Sequence, residues 1–184
     1  MRVYKVLKNQ EFRVDDYCLT PIRHEDRFKI MKWRNEQIEH LRQTFLLTQD
    51  DQEKYFNNTI AKLFEKKKPE QLLFSFLKGH KLIGYGGLVH IDWLIGTAEI
   101  SMIMETDLQR RQFIEIWTVF LGLIKVIASE IQLKEIYTFA YDIRPKLYDA
   151  LEQSGFEMFD RLQKAVSIEG ELVDIVKHRI TIDG

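Results

Sequence analysis

The sequence predicts an α/β fold of the α+β kind: a mixed, mostly antiparallel central sheet with helices on both faces. Three observations carry this. Ala98–Met104, AEISMIM, sets Glu99 and Ser101 in alternation with apolar residues, as a strand does. From Phe113 to Ile131 the polar residues Glu115, Thr118, Gly122, Lys125 and Ser129 recur three or four positions apart, the stripe of a largely buried helix. Lys134–Tyr141 then alternates again, with Ile136, Thr138 and Ala140 on one face and Tyr137, Phe139 and Tyr141 on the other. Strand, helix and strand make a βαβ unit, and the chain closes with a hairpin of Phe156–Leu162 and Glu171–Ile182. The long helix carries Glu115, Lys125 and Glu130, each costing a few kcal/mol in lipid, so it reads as a core helix and no membrane association is expected.

With 184 residues and 45% hydrophobic content the chain fits one domain, residues 1–184, with a sizeable core. A net charge of −1 with both signs mixed gives no basic field for nucleic acid. Cys18 is the single cysteine and residues 1–10 lack an apolar signal core, which together point to the cytoplasm.

In chain order, residues 1–16 read as an extra strand or an ordered arm, and Tyr17–Ile22 as a short strand. Arg23–Asp26 opens a helix whose buried side is Phe28, Ile30 and Met31; Trp33-Arg34-Asn35 ends or kinks it before a second helix over Gln37–Gln43. Thr48 with Asp51 is a capping box, Phe56, Ile60 and Leu63 continue that helix, and Pro69 stops it. Gln71–Leu77 and Lys81–Ile91 form a hairpin, in which Gly84, Gly86 and Gly87 mark a bulge or a close approach by another group. His90 and Asp92, two apart on a strand, share a face at its tip, but a third metal ligand is missing and no metal is expected. The segment before Phe113 is a charged turn, and Arg144–Ser154 is a helix stopped by Gly155.

AEISMIM, Gln109 at the head of the turn, the helix, KEIYTFAY and LEQSGFE together resemble the core of the GNAT acetyltransferase superfamily, with PIR and WRN near the start and LIGYGGL before the AEIS strand. The likeness is to the ribosomal-protein N-terminal acetyltransferases and the amino-sugar acetyltransferases, and it covers roughly residues 17–182. It implies acetyl-CoA as acyl donor. In that family a Q/R-x-x-G-x-G/A turn wraps the donor's pyrophosphate with backbone amides at a helix N-terminus. By that alignment the donor-binding residues are Gln109, Arg110, Arg111, Gln112, Phe113 and Ile114, with Gln112 and Ile114 standing at the two small-residue positions. The resemblance further implies that the backbone of Ile103 and Met104 holds the pantetheine arm and the oxyanion, and that Arg144 takes the place of a pantetheine-binding asparagine.

Amide formation from a thioester needs a neutral amine and a proton for the departing thiolate. Glu99, with Ser101 beside it, is the candidate base, and burial has to raise its pKa for the task. The family's tyrosine acid aligns with Leu151, so Tyr148, one helical turn earlier, is the candidate substitute. Trp33, Arg34, Asn35, His90 and Trp93 are candidate acceptor contacts; aromatic rings with a guanidinium suit a sugar nucleotide. The expected activity is therefore N-acetylation of an amino sugar on a nucleotide carrier or of a small amine, and next of a protein N-terminus, by a monomer or homodimer. The alternative is a non-catalytic protein of the same fold that binds a ligand or partner.

Overall fold

In the computed structural model, which describes residues 2–182, eight strands form one sheet: β1 (Phe12–Val14), β2 (Tyr17–Pro21), β3 (Leu72–Lys78), β4 (Lys81–Asp92), β5 (Thr97–Met104), β6 (Glu135–Tyr141), β7 (Glu157–Ile168) and β8 (Glu171–Thr181). Their spatial order is β1-β2-β3-β4-β5-β6-β8-β7, and every neighbouring pair is antiparallel except β5 and β6. The parallel pair is where a crossover is required, and the long helix supplies it.

Leu72 to Leu77 are buried without interruption, so both faces of the sheet are covered there. Phe76 packs on Phe120 of helix α5 (Phe113–Glu130) with ring centroids 5.5 Å apart. Its neighbour Ser75 points the other way and donates to Asp26 Oδ2 at 2.7 Å, ahead of helix α1 (Arg27–Glu36). Helices α1 and α5 therefore lie on opposite faces. The β4 glycines are explained by crowding: a Cβ at Gly86 would sit 2.1 Å from the Ser101 carbonyl oxygen of β5.

Several local expectations change. Residues 2–16 are an arm with a single three-residue strand at its end; the arm is tied down by Tyr4, whose hydroxyl donates to Leu73 O at 2.8 Å and accepts from Leu73 N at 2.9 Å. The buried side of α1 is Ile30 and Trp33, while Phe28 and Met31 are half-buried. The helix predicted over 37–43 shrinks to one 3₁₀ turn, Ile38–His40, because Gln37 leaves helical geometry (φ −123°) and donates its side-chain amide to Met104 O at 2.9 Å. The Thr48 capping box forms and starts α2 (Gln49–Tyr55), which continues through a π turn at Phe56–Ile60 into α3 (Ala61–Leu63) and ends well before Pro69. The segment expected as a charged turn is a helix, α4 (Thr106–Arg111). Helix α6 (Pro145–Gln153) ends at Gly155 with φ +86°. Strand β7 runs beyond Leu162 to Ile168, its register jumping between Leu162 and Val166 around Lys164, which has φ +49°.

Candidate active site

Strands β5 and β6 hold together only at Thr97↔Glu135, Ala98↔Ile136 and Glu99↔Tyr137. Beyond Glu99 they part, and a cavity of about 430 Å³ opens at the gap. It is lined by Glu99 to Met102 of β5 and by Thr138 to Tyr141 of β6. Alternation along β5 sends Glu99 and Ser101 to one face and Ile100 and Met102 to the other, so the cavity reaches both sides of the sheet.

On the α1 side the central group is Glu99, which is buried at 6% exposure and lines the cavity. Arg42, from the loop after the 3₁₀ turn, pairs with its carboxylate and lies 4.2 Å over the ring of Phe139. Burial nevertheless pushes the Glu99 carboxyl above its ordinary value, against the opposing pull of Arg42, His90, and Lys177. A carboxyl so raised is a better proton acceptor for an amine than an exposed one. Arg34 and His90 also line this side, with Arg34 donating to Gln43 Oε1 at 3.0 Å and to Tyr85 Oη at 2.6 Å.

On the α5 side the cavity meets Trp117, Thr138, Arg144 and Leu147. The guanidinium of Arg144 lies 5.4 Å over Phe113 and 5.8 Å over Trp117, and burial pulls its pKa down to about 10. Arg144 Nε, Trp117 Nε1, Thr138 Oγ1 and His40 Nδ1 are buried with no hydrogen-bond partner among the described residues, and all four residues line the cavity. A buried polar atom left without a partner is a cost that a ligand or water offsets where it can reach that atom. Burial and the nearby charge of Arg144 both lower the pKa of His40.

The expected phosphate turn is the largest local departure. Gln109 N donates to Glu105 O at 3.0 Å and Gln112 N to Leu108 O at 2.9 Å, so these amides close a helix. With no glycine between Glu105 and Gln112, the segment lacks the conformational freedom that a wrapped turn draws on. The chain breaks at Gln112 (φ −128°, ψ 28°) and restarts as α5. Gln112 and Arg111 are exposed, Gln109 and Ile114 half-buried, and Phe113 is buried under Arg144; Arg110 belongs to α4.

Residues 19–176 match the sequence model of the family described as Acetyltransferase (GNAT) domain. The chain belongs to the GNAT acetyltransferase family. No curated protein matches the sequence. Among solved structures, it is similar to the spermidine N-acetyltransferase of Vibrio cholerae in complex with CoA and spermine, at TM-score 0.77 and 20% identity over 91% of this chain and 96% of that one. It is also similar to a probable GNAT-family acetyltransferase from Chromobacterium violaceum, at TM-score 0.73 and 15% identity over 94% of this chain and 91% of that one. GNAT acetyltransferases use acetyl-CoA as donor, and the residues present fit it: the parted strands leave a cavity with four orphaned polar side-chain atoms.

The other sequence-predicted residues fall as follows. Ser101, Arg34, His90 and Arg144 line the cavity with Glu99. Ile103 and Met104 do not; the lining of β5 ends at Met102, and Met104 O is taken by Gln37. Tyr148 also lies outside the lining, donating its hydroxyl to Asp142 Oδ1 at 2.7 Å and stacking on His178 at 5.1 Å. Trp33 is buried core, and Asn35 organises the following loop by bonding Leu47 N, Leu47 O and Gln43. Trp93 donates to Pro69 O at 2.9 Å and is not part of the lining. His90 has φ +50° at a register jump between Val89 and Asp92, so it does not share a regular face with Asp92, whose carboxylate caps Leu94 N and Ile95 N. Sequence reasoning missed Arg42, His40, Trp117 and Thr138; only Thr138 had a signal, its alternation with Ile136 and Ala140.

Proposed function

We propose that this chain transfers the acetyl group of acetyl-CoA to the primary amine of a small molecule. The observation that carries the reading is the cavity at the parted strands, which has a buried carboxylate, Glu99, on one side and unsatisfied donors on the other. Arg144, Trp117 and Thr138 would hold the donor, whose thioester supplies an activated acetyl group. Glu99 receives the proton of the amine as its nitrogen bonds the acetyl carbon and the C–S bond breaks; CoA leaves as the thiolate and takes a proton from solvent, and the raised pKa of Glu99 suits its role. Arg42 keeps the carboxylate oriented toward the cavity rim. The V. cholerae structure, a spermidine N-acetyltransferase with CoA and spermine, supports a small amine as the acceptor class. Within that class, an amino sugar on a nucleotide carrier is the acceptor that the guanidiniums of the cavity suit. A single cysteine, Cys18, buried and unpaired, supports a cytoplasmic setting for the enzyme.

The test is release of CoA thiol from acetyl-CoA in the presence of a panel of primary amines, with Glu99→Gln as control. Amine-dependent release that the variant loses supports the reading. If no amine raises release above background and calorimetry detects no acetyl-CoA binding at millimolar concentration, the reading fails and a ligand- or partner-binding role takes its place.

A further inference from the structure

The side chains lining the cavity include three arginines, Arg34, Arg42 and Arg144, and one carboxylate, Glu99. Only Arg42 is paired with that carboxylate; among the described residues no carboxylate oxygen lies within 4.0 Å of the Arg34 or Arg144 guanidinium. Arg34 is held by two neutral groups, Gln43 Oε1 through Nε and Tyr85 Oη through Nη1, which fix the plane of its fork without neutralising it. Its Nη2 has no hydrogen-bond partner among the described residues. A guanidinium oriented by neutral partners beside a cavity is a pre-organised receptor for an oxyanion. Arg42, about half exposed at its side chain and resting on Phe139, adds a second cation on the same side of the sheet as Glu99.

The helices separate this pair from the third arginine. Arg34 belongs to α1 and Arg42 to the loop that follows the 3₁₀ turn, on the face opposite α5. Arg144 stacks over Phe113 and Trp117 of α5. Arg144 thus lies on the α5 face, and Arg34 and Arg42 form a separate cationic pair on the other, beside the candidate base. A polyamine would bring several positive charges to a wall that offers one carboxylate, already paired; an amine with its own negative group would complete the balance.

Resting on the reading above, we propose that the acceptor amine carries an oxyanion, a phosphate or a carboxylate, received by Arg34 with Arg42 while the amine faces Glu99. Polyamines are then excluded, although a structurally similar protein is a spermidine N-acetyltransferase.

The deciding experiment is calorimetric titration, in saturating CoA, of matched amines that differ in the anion: glucosamine 6-phosphate against glucosamine, and 4-aminobutyrate against butylamine, with spermidine as the cationic extreme. At least one anionic member should bind about tenfold or more tighter than its neutral match, as expected for one charge-assisted contact. Which pair shows the advantage tells phosphate from carboxylate. Arg34→Gln should shrink that advantage to below about threefold, and Arg34→Lys should restore part of it. If a melting curve shows Arg34→Gln unfolded, Arg42→Gln serves as the second variant. Equal binding within both pairs, tighter binding of spermidine, or no binding by any of the five amines overturns the proposal. Binding rather than turnover is read, so the two readings separate. An anionic advantage without acetyl transfer to any amine defeats the acetyltransferase reading alone; transfer with no anionic advantage defeats this one alone.

Discussion

Two charged side chains, one buried and one half-buried, line the same cavity under opposite conditions. Glu99 on β5 has a cationic partner, Arg42, and a carboxyl whose pKa burial still raises. Arg144, just ahead of α6, has aromatic rings beneath it, a buried Nε without a partner, and a pKa pulled down to about 10. An ion pair satisfies its members within the fold, so Glu99 has a structural explanation beside the catalytic role proposed for it. Arg144 has ring contacts and feels Glu39 only at longer range, with no carboxylate within 4.0 Å among the described residues, so its partial burial is a cost that a bound anion would offset. The cavity thus combines a wall whose charge is paired with a wall whose charge has no carboxylate partner among the described residues.

Substitutions break or sharpen this contrast. The largest effect belongs to the paired wall: Glu99→Gln should lower kcat by roughly 10²–10⁴, the range of a general base, while the Kd for acetyl-CoA measured by calorimetry stays within about twofold. A parallel loss of donor binding would instead make Glu99 a structural residue. Next comes the orphaned wall, where Arg144→Met should raise the Kd for acetyl-CoA by roughly 10- to 100-fold, as for a lost charged hydrogen bond. The same change should raise the Tm of the ligand-free protein by about 2–4 °C for each kcal/mol of relieved burial cost. Opposite signs in the two measurements are the signature of a charge kept for a ligand.

The third test is pH dependence. Glu99 must be ionised to accept a proton, so kcat/KM should fall as pH drops through its raised pKa; Arg42→Gln removes a stabiliser of the carboxylate and should move that inflection higher still. The sign for stability runs the other way. Because the folded pKa lies above the unfolded one, the contribution of Glu99 to stability is full below the unfolded pKa and is lost as pH rises through the folded one. The smallest effect serves as a remote control: Thr48→Ala removes the capping box of α2 at a cost of about 1 kcal/mol, or about 2–4 °C in Tm, with kcat unchanged.

The mixed sheet, the crossover helix and the Thr48 cap were legible because each is written in local periodicity or spacing. Glu99 was legible for the same reason, as the charged member of an alternating strand. What alternation does not carry is the partner across the gap. Arg42 lies 57 residues from Glu99, in a loop without regular structure. The helix at Thr106–Arg111 was concealed by the resemblance itself, which assigned a turn to a stretch with no glycine and ordinary helix formers. Tyr148 had suitable spacing, but Asp142 holds its hydroxyl, a contact six residues away with no repeat to announce it. Asn35 was read as an acceptor contact from its place in WRN, and its amide is spent on fixing the loop that delivers Arg42.

The three rungs that join β5 to β6 have a mechanical consequence. They couple a five-stranded plate, β1 to β5, to a three-stranded plate of β6, β8 and β7. Across the seam the hydrogen-bonded ladder is short, while α5 and the packing above it act as a leaf spring along one side. A molecule lodged between the strands would act as a wedge that stiffens both plates. Amide exchange along the facing edges of β5 and β6 would then slow in concert when the wedge is in place.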